Sequence, residues 1–360
     1  MDGFDPIPDS LVLLIFNFVS DVKTLIRCRA VSKRFNSLVS QAESLLLKVD
    51  CLISPESSDA DSSPLTFLSS FLKNLLHSLV SPKPHPTRTH RSLQNSPAQI
   101  LRGFQAIRDL EIELPSGNLK LEKNTAVKWR AEFGKNLRSC VIFGFRELRS
   151  SPPSQIPADF GEVGFAGGLK LRVVWTISAL VEASSRHYLL REVVKEQTQL
   201  ERLVLRDKDG EGTVVMDKDG LREFREDTAE LQVSDDLSVV IGGEGGQGQG
   251  QGQGQGVWER KMGGRTTVPS VRLRMRHVLK LEVEGGGAWM SGATLVIVKP
   301  TSSSTSDDRG PQQQAMEADV EGDEEKDAEL ALEAFGGGVY GEAVRALVKT
   351  RGYLLEMNSF

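Results

Sequence analysis

The sequence predicts an α/β protein in which a compact unit of three short helices precedes a domain whose helices cover a sheet. Three observations lead there. Apolar residues recur at helical spacing between Phe4 and Val39 in three short runs. From Ile100 onward, short strand-like segments are interrupted by a pair of amphipathic helical segments. Low-complexity runs, Gly/Gln-rich over 242–256 and acidic over 300–328, are too polar to bury apolar surface and read as disordered interruptions.

The opening runs are Leu11, Ile15, Phe18 and Val19, then Val22, Leu25 and Ile26, then Val31, Phe35, Leu38 and Val39. Each has a start signal: Pro8-Asp9, Ser20-Asp21 and Ser32, where an Asp or Ser oxygen accepts from the unpaired N–H groups of a first turn. Helices this short are marginal alone, since most helical stability comes from packing a face. So small a unit cannot enclose a full core. An apolar helical hairpin of this kind is a docking element whose other half a partner supplies.

Ile7-Pro8, the Leu14-Ile15-Phe16 block, Leu25, Cys28 and Val31-Ser32-Lys33-Arg34-Phe35 resemble an F-box in order and spacing. Ile7 stands where Leu is usual, Ser32 where Cys is common and Phe35 where Trp is common, each keeping size or polarity. The resemblance implies binding of the Skp-type adaptor of a Skp-cullin-F-box ubiquitin ligase, and through it cullin and a RING protein. On that reading Pro8, Leu11, Ile15, Phe18, Val19, Leu25 and Val31 make the adaptor contact, and Phe35 and Leu38 brace the hairpin from behind. Further segments, including LRGFQAIRDLEIELPSG, VKWRAEFGKNLRSCVIFGFR and SSRHYLLREVV, resemble a plant F-box family that includes the auxin-up-regulated F-box proteins.

The expected organisation is an F-box over 1–50, a variable linker over 51–99 carrying one amphipathic helix at 65–80, and an α/β substrate-binding domain over 100–299. An acidic disordered segment at 300–328 and C-terminal helices at 329–360 that pack back complete it. Ile107 to Ile112, Leu137 to Ile142, Leu200 to Leu205 and Val278 to Val283 share the apolar-x-x-apolar-x-apolar spacing of leucine-rich-repeat strands. Their separations follow no fixed period, so the domain is expected to be a divergent leucine-rich-repeat-like one. Leu171 to Ala183, with a stripe of Val173, Val174, Ile177, Leu180 and Val181, and Ser185 to Gln199 are expected to cover the sheet as two helices. Val271 to Met275 and Thr294 to Val298 complete the strand set.

The 360 residues, 39% of them hydrophobic, leave room for a small and a larger domain. A net charge of −5 argues against a general nucleic-acid binder, which would carry a clustered basic face. Three scattered cysteines point to a reducing compartment, and no secretory leader or spanning segment is expected, placing the protein in the nucleus, the cytoplasm or both. The basic run at Pro82 to Arg91 reads as a solvated linker, with a nuclear address as the alternative.

Asp207-Lys-Asp209-Gly-Glu211-Gly212 opens like a Ca²⁺ loop, but Lys218 stands where the closing Glu belongs, and a β-turn is the better reading. Gly161, Gly164, Gly167 and Gly168 lack the Gly-Lys-Ser/Thr of a phosphate loop. The five histidines show no metal-ligand spacing, and no nucleophile elbow is present. No metal, cofactor or catalytic residue is therefore assigned. Trp129 and Trp289, read as bordering loops, are candidate target-binding anchors, because exposed Trp is enriched in binding hot spots. The function expected is a non-catalytic substrate-recognition subunit. The alternatives are an adaptor-bound scaffold outside any ligase, or an enzyme domain fused to an F-box.

Overall fold

A computed structural model describes residues 4, 6–49, 101–115, 125–150, 165–226, 265–283, 287–301 and 315–360. The expected linker with its helix at 65–80 and the Gly/Gln-rich run at 242–256 lie outside these residues. Three helices open the chain: α1 (Asp9–Val19), α2 (Val22–Arg29) and α3 (Lys33–Val39). They lead into β1 (Ser44–Lys48), which joins one mixed sheet with β2 (Asp109–Leu114), β3 (Ala126–Phe133), β4 (Leu137–Phe145), β5 (Glu147–Arg149), β6 (Arg202–Asp207), β7 (Gly212–Met216), β8 (Val271–Val283), β9 (Ala288–Pro300) and β10 (Gly352–Met357). The order is β1-β2-β6-β7-β3-β4-β9-β8-β10, with β5 paired to β9. At about 4.8 Å per strand, that path spans roughly 38 Å from the helical unit to the far edge.

The four repeat-like segments all fall on strands, β2 and β6 beginning two residues inside theirs, but they do not stack as a parallel array. β2 and β6 are parallel neighbours, whereas β4 and β8 flank β9 as antiparallel partners. The leucine-rich-repeat-like reading is therefore corrected to a mixed α/β sheet. The physical reason is that apolar-x-x-apolar-x-apolar specifies a strand with one buried face and says nothing about which neighbour it pairs with.

Alternation along the strands builds two cores. Leu110, Ile112, Trp129, Cys140, Ile142, Leu203, Leu205 and Val296 face one side, and Val141, Phe143, Phe145, Leu295 and Ile297 the other. The first side is covered by α4 (Phe165–Leu189) and α5 (Arg191–Glu196), the second by α7 (Ala315–Phe335) and α8 (Gly338–Val348), and α6, over 218–226, follows β7. The stripe expected on α4 is rotated: Trp175, Ala179, Leu180 and Ala183 are buried, while Val174 and Ile177 are exposed. Close approach to a sheet favours small residues beneath the helix. Trp175 fits because Gly144 lies below it, where a Cβ would come within 2.9 Å of the indole.

The helical unit packs onto the sheet, since Leu45 and Leu47 of β1 share one cluster with Val12, Phe16, Leu110 and Ile112. One segment boundary is corrected. Residues 315–328 belong to α7 instead of a disordered segment, and buried Asp327 pairs with Lys299 at 2.6 Å and Arg274 at 2.9 Å. Basic side chains on β8 and β9 give those acidic residues a surface to fold against. After α8 the chain ends in β10, an edge strand not foreseen among the C-terminal helices.

The Asp207 to Gly212 turn is a hairpin between β6 and β7, with Gly210 at φ +62 and its N–H donating to the Asp207 carbonyl at 2.9 Å. The Asp207 carboxylate is engaged elsewhere: it accepts from Arg186 at 3.0 Å and from the Gly212 N–H at 2.9 Å. A Cβ on Gly212 would meet the Trp129 ring at 2.5 Å. Gly212→Ala is expected to cost about 1–3 kcal/mol by overpacking. Urea denaturation would show this as a lower midpoint at unchanged slope.

Candidate functional site

The helical unit is tied to the sheet by polar contacts local in sequence. Asp21 caps α2, accepting from the Thr24 N–H at 2.9 Å and its hydroxyl at 2.5 Å. Burial opposes ionisation of this carboxyl, but the Thr24 bonds with Lys48 and Lys23 nearby outweigh it, holding it below its ordinary range. Ser32 caps α3 through the Phe35 N–H at 3.1 Å. Ser20, in the left-handed region at φ 51, turns the chain between α1 and α2, and its carbonyl accepts from the Leu46 N–H at 2.9 Å. The Asn17 side-chain oxygen accepts from the Glu43 N–H at 2.8 Å, fastening α1 to the start of β1.

Arg34 gathers the N-terminal segment onto α3. Its guanidinium pairs with Asp9 at 2.6 Å and donates to the carbonyls of Phe4, at 2.9 Å, and Ile7. Phe35 stands behind the hairpin with Phe4 and Phe16 edge-on at 5.4 and 5.2 Å. Asp21→Ala is expected to cost about 1 kcal/mol through loss of the cap. A carboxyl whose folded pKa is lowered contributes stability above its ordinary value of 3.8 and loses it as pH falls through the folded value. The gap between wild type and variant in thermal melts should therefore close below that pH.

With Val12, Phe16, Val22, Leu25, Phe35, Leu38 and Val39 turned inward, a second apolar set faces solvent. Among the described residues, eight large apolar side chains between Phe4 and Val31 are exposed: Phe4, Leu11, Leu14, Ile15, Phe18, Val19, Ile26 and Val31. Phe18 is 90% exposed and Val31 66%. A contiguous apolar face on a folded unit marks an interaction surface. Of the expected contact residues, Pro8, Leu11, Ile15, Phe18, Val19 and Val31 lie on the exposed side.

Leu25 does not: it is 0% exposed, and its place as a contact is corrected to the hairpin's interior. Spacing identifies residues that share a helix face without saying which face is inward, and on α2 Val22 and Leu25 point in while Ile26 points out. Leu14 and Ile26, absent from the expected contact set, belong to the exposed face. Their signal was present: Leu14 falls in the Leu14-Ile15-Phe16 block and Ile26 in the run Val22, Leu25 and Ile26.

The two tryptophans part company. Trp129 is 1% exposed at the centre of β3, with the Arg186 guanidinium 4.8 Å above its ring, so it is corrected from target anchor to core residue. The alternation Val127, Trp129, Ala131, Phe133 against Lys128, Arg130, Glu132 carried the strand signal. Trp289 is half-buried on β9, opposite Arg149 and Glu282.

Among the described residues no group of three or more His, Cys, Asp or Glu side chains is placed to hold a metal, and no helix is long and apolar enough to cross a membrane. His187 is buried, stacked on Phe133 at 4.2 Å, and burial holds its pKa at about 3.

The capped three-helix unit with a filled inner face and an apolar outer face falls within residues 4–50, which the family model described as F-box-like matches. The chain is 45% identical to F-box protein AUF1 and 46% identical to F-box protein AUF2, both from Arabidopsis thaliana, over 100% of each chain. It is 35% identical to F-box protein At4g18380 of the same plant, aligning over all of itself and 94% of that protein. The chain belongs to this family of plant F-box proteins. No solved structure matches it.

Proposed function

We propose that this protein is the substrate-recognition subunit of a Skp-cullin-F-box ubiquitin ligase. F-box proteins generally act as substrate receptors and adaptor subunits, not as enzymes, and an F-box implies binding of a Skp-type adaptor. The observation that carries the reading is the exposed face formed by Pro8, Leu11, Ile15, Phe18, Val19 and Val31 on helices otherwise packed against the sheet. A target protein binds the α/β domain, with Trp289 as the candidate anchor retained from the sequence.

The mechanism is proximity. The adaptor holds one end of the sheet, the domain presents the target, and ubiquitin arrives from a conjugating enzyme recruited by the scaffold. The chain contributes effective concentration and orientation with no bond-making residue. The β1 edge lies against the helical unit, so a target bound toward β9 and β8 stands clear of the adaptor. The nucleus and the cytoplasm are the proposed compartments.

Size-exclusion co-purification of the full chain with a Skp-type adaptor and cullin tests this. A ternary complex is the expected result. Recovery of adaptor without cullin would favour the scaffold reading, and failure to bind adaptor would overturn both.

A further inference from the structure

A second feature lies away from the adaptor face. β2 and β6 are parallel, so their starting ends share one margin of the sheet, and antiparallel β7 ends at the same margin before α6 begins. Residues of three separate segments meet there around a cavity of about 500 Å³, within the roughly 300–1,000 Å³ of small-ligand sites. Arg108, Lys218, Arg222 and Arg225 supply four cations to its lining against one carboxylate, Glu201.

The cations are incompletely compensated. The Arg225 guanidinium is held by the main-chain carbonyls of Val194, Gln197 and Leu200 at 3.5, 3.1 and 3.1 Å. Among the described residues no carboxylate lies within ion-pairing distance of it. Burial accordingly pulls its pKa below the ordinary range. Among the described residues, Arg222 pairs with exposed Asp219 of its own turn, at 3.1 Å. Lys218 and Arg108 share Glu201 at 3.1 and 3.8 Å, and Arg108 also reaches Glu43 at 3.8 Å.

Two guanidinium forks, of Arg108 and Arg222, and the Lys218 ammonium line one cavity beside the carbonyl-held Arg225 and suit a compact dianion, because Arg pairs with phosphate oxygens two at a time. A cavity in a chain of net charge −5 is not the extended basic stripe of a nucleic-acid binder. We infer that this cavity binds a phosphate monoester, carried by a small molecule or by a phosphorylated side chain. The site uses no residue of the adaptor face and stands or falls independently of it.

Calorimetric titration of the full chain tests the site with two probes: phenyl phosphate, and a phosphoserine peptide beside its unphosphorylated twin. Lys218→Gln with Arg222→Gln removes two cations whose side chains are 74% and 66% exposed, so the fold should tolerate the change. Lys349→Gln with Arg351→Gln removes the same charge from another exposed surface. The first pair is expected to weaken binding about tenfold or more and the second to leave it unchanged. Binding should also weaken as pH falls through about 6, where a phosphate ester takes up a proton.

Preference for the phosphorylated peptide assigns the occupant to a protein segment. Saturable phenyl phosphate binding with indistinguishable peptides assigns it to a small ester. Absence of saturable binding to either probe, or equal weakening by the two variant pairs, would overturn the inference. Adaptor binding measured on the same samples keeps that outcome separate from any failure of the ligase reading.

Discussion

Leu11→Ala combined with Ile15→Ala is expected to weaken capture of a Skp-type adaptor by about a hundredfold or more, because two interface hot spots are each worth roughly 2 kcal/mol. Both side chains are about half exposed and line the outer face of α1. Truncating them leaves the inward-facing Val12 and Phe16 in place, and alanine is the better helix former. Stability should therefore change by no more than about 0.5 kcal/mol. The contrast lies one residue away on the same helix. Phe16→Ala empties a buried position beside Phe35 and is expected to cost about 3–5 kcal/mol of stability. Biolayer interferometry against purified adaptor, run beside thermal melts, separates the two effects. Undiminished capture by the Leu11/Ile15 variant would remove this face from the interface.

Arg186→Ala is the second large effect, at about 3–5 kcal/mol of lost stability, because it leaves buried carboxylates uncompensated. Arg186 is 1% exposed, pairs with Glu182 and, at 3.0 Å, with Asp207, and donates to the Gly212 carbonyl at 2.9 Å. It links α4 to the β6–β7 hairpin and covers Trp129. Burial already pushes the Glu182 and Asp207 carboxyls above their ordinary values despite the arginine. Without it their folded pKa values rise further.

A carboxyl raised in the folded state contributes stability below its unfolded pKa and loses it as pH rises through the folded pKa. The variant's deficit relative to wild type should accordingly shrink as pH is lowered from neutrality toward the ordinary values of 3.8 and 4.5. Denaturant melts across that window would show it. A deficit that grew in acid would mean the two carboxylates are not what the arginine compensates.

The helical unit was legible early because its information is local. Caps at Asp21 and Ser32, the apolar runs and the F-box-like residues all fall within one short stretch, and the structure uses both caps. The Asp207 to Gly212 turn was legible for the same reason. β3 was legible in its strict alternation, but Trp129 drew attention as a possible anchor and the strand around it was missed. The cavity near Arg225 could not be read at all. Arg108 and Lys218 are 110 positions apart and meet only because β2, β6 and β7 present their ends at one margin.

Taken by itself, the sequence determined that the chain opens with a capped helical hairpin richer in apolar residues than its own size can use, and that strands and covering helices follow. Those properties depend on neighbours a few positions away, where backbone propensity and spacing act. Only the tertiary structure decided that Leu25 points in while Ile26 points out, that β1 joins the large sheet, that α7 folds onto the basic side chains of β8 and β9, and that the strands form a mixed sheet. Each of these turns on which distant surface a given face meets, and a spacing pattern describes the face without naming the surface opposite.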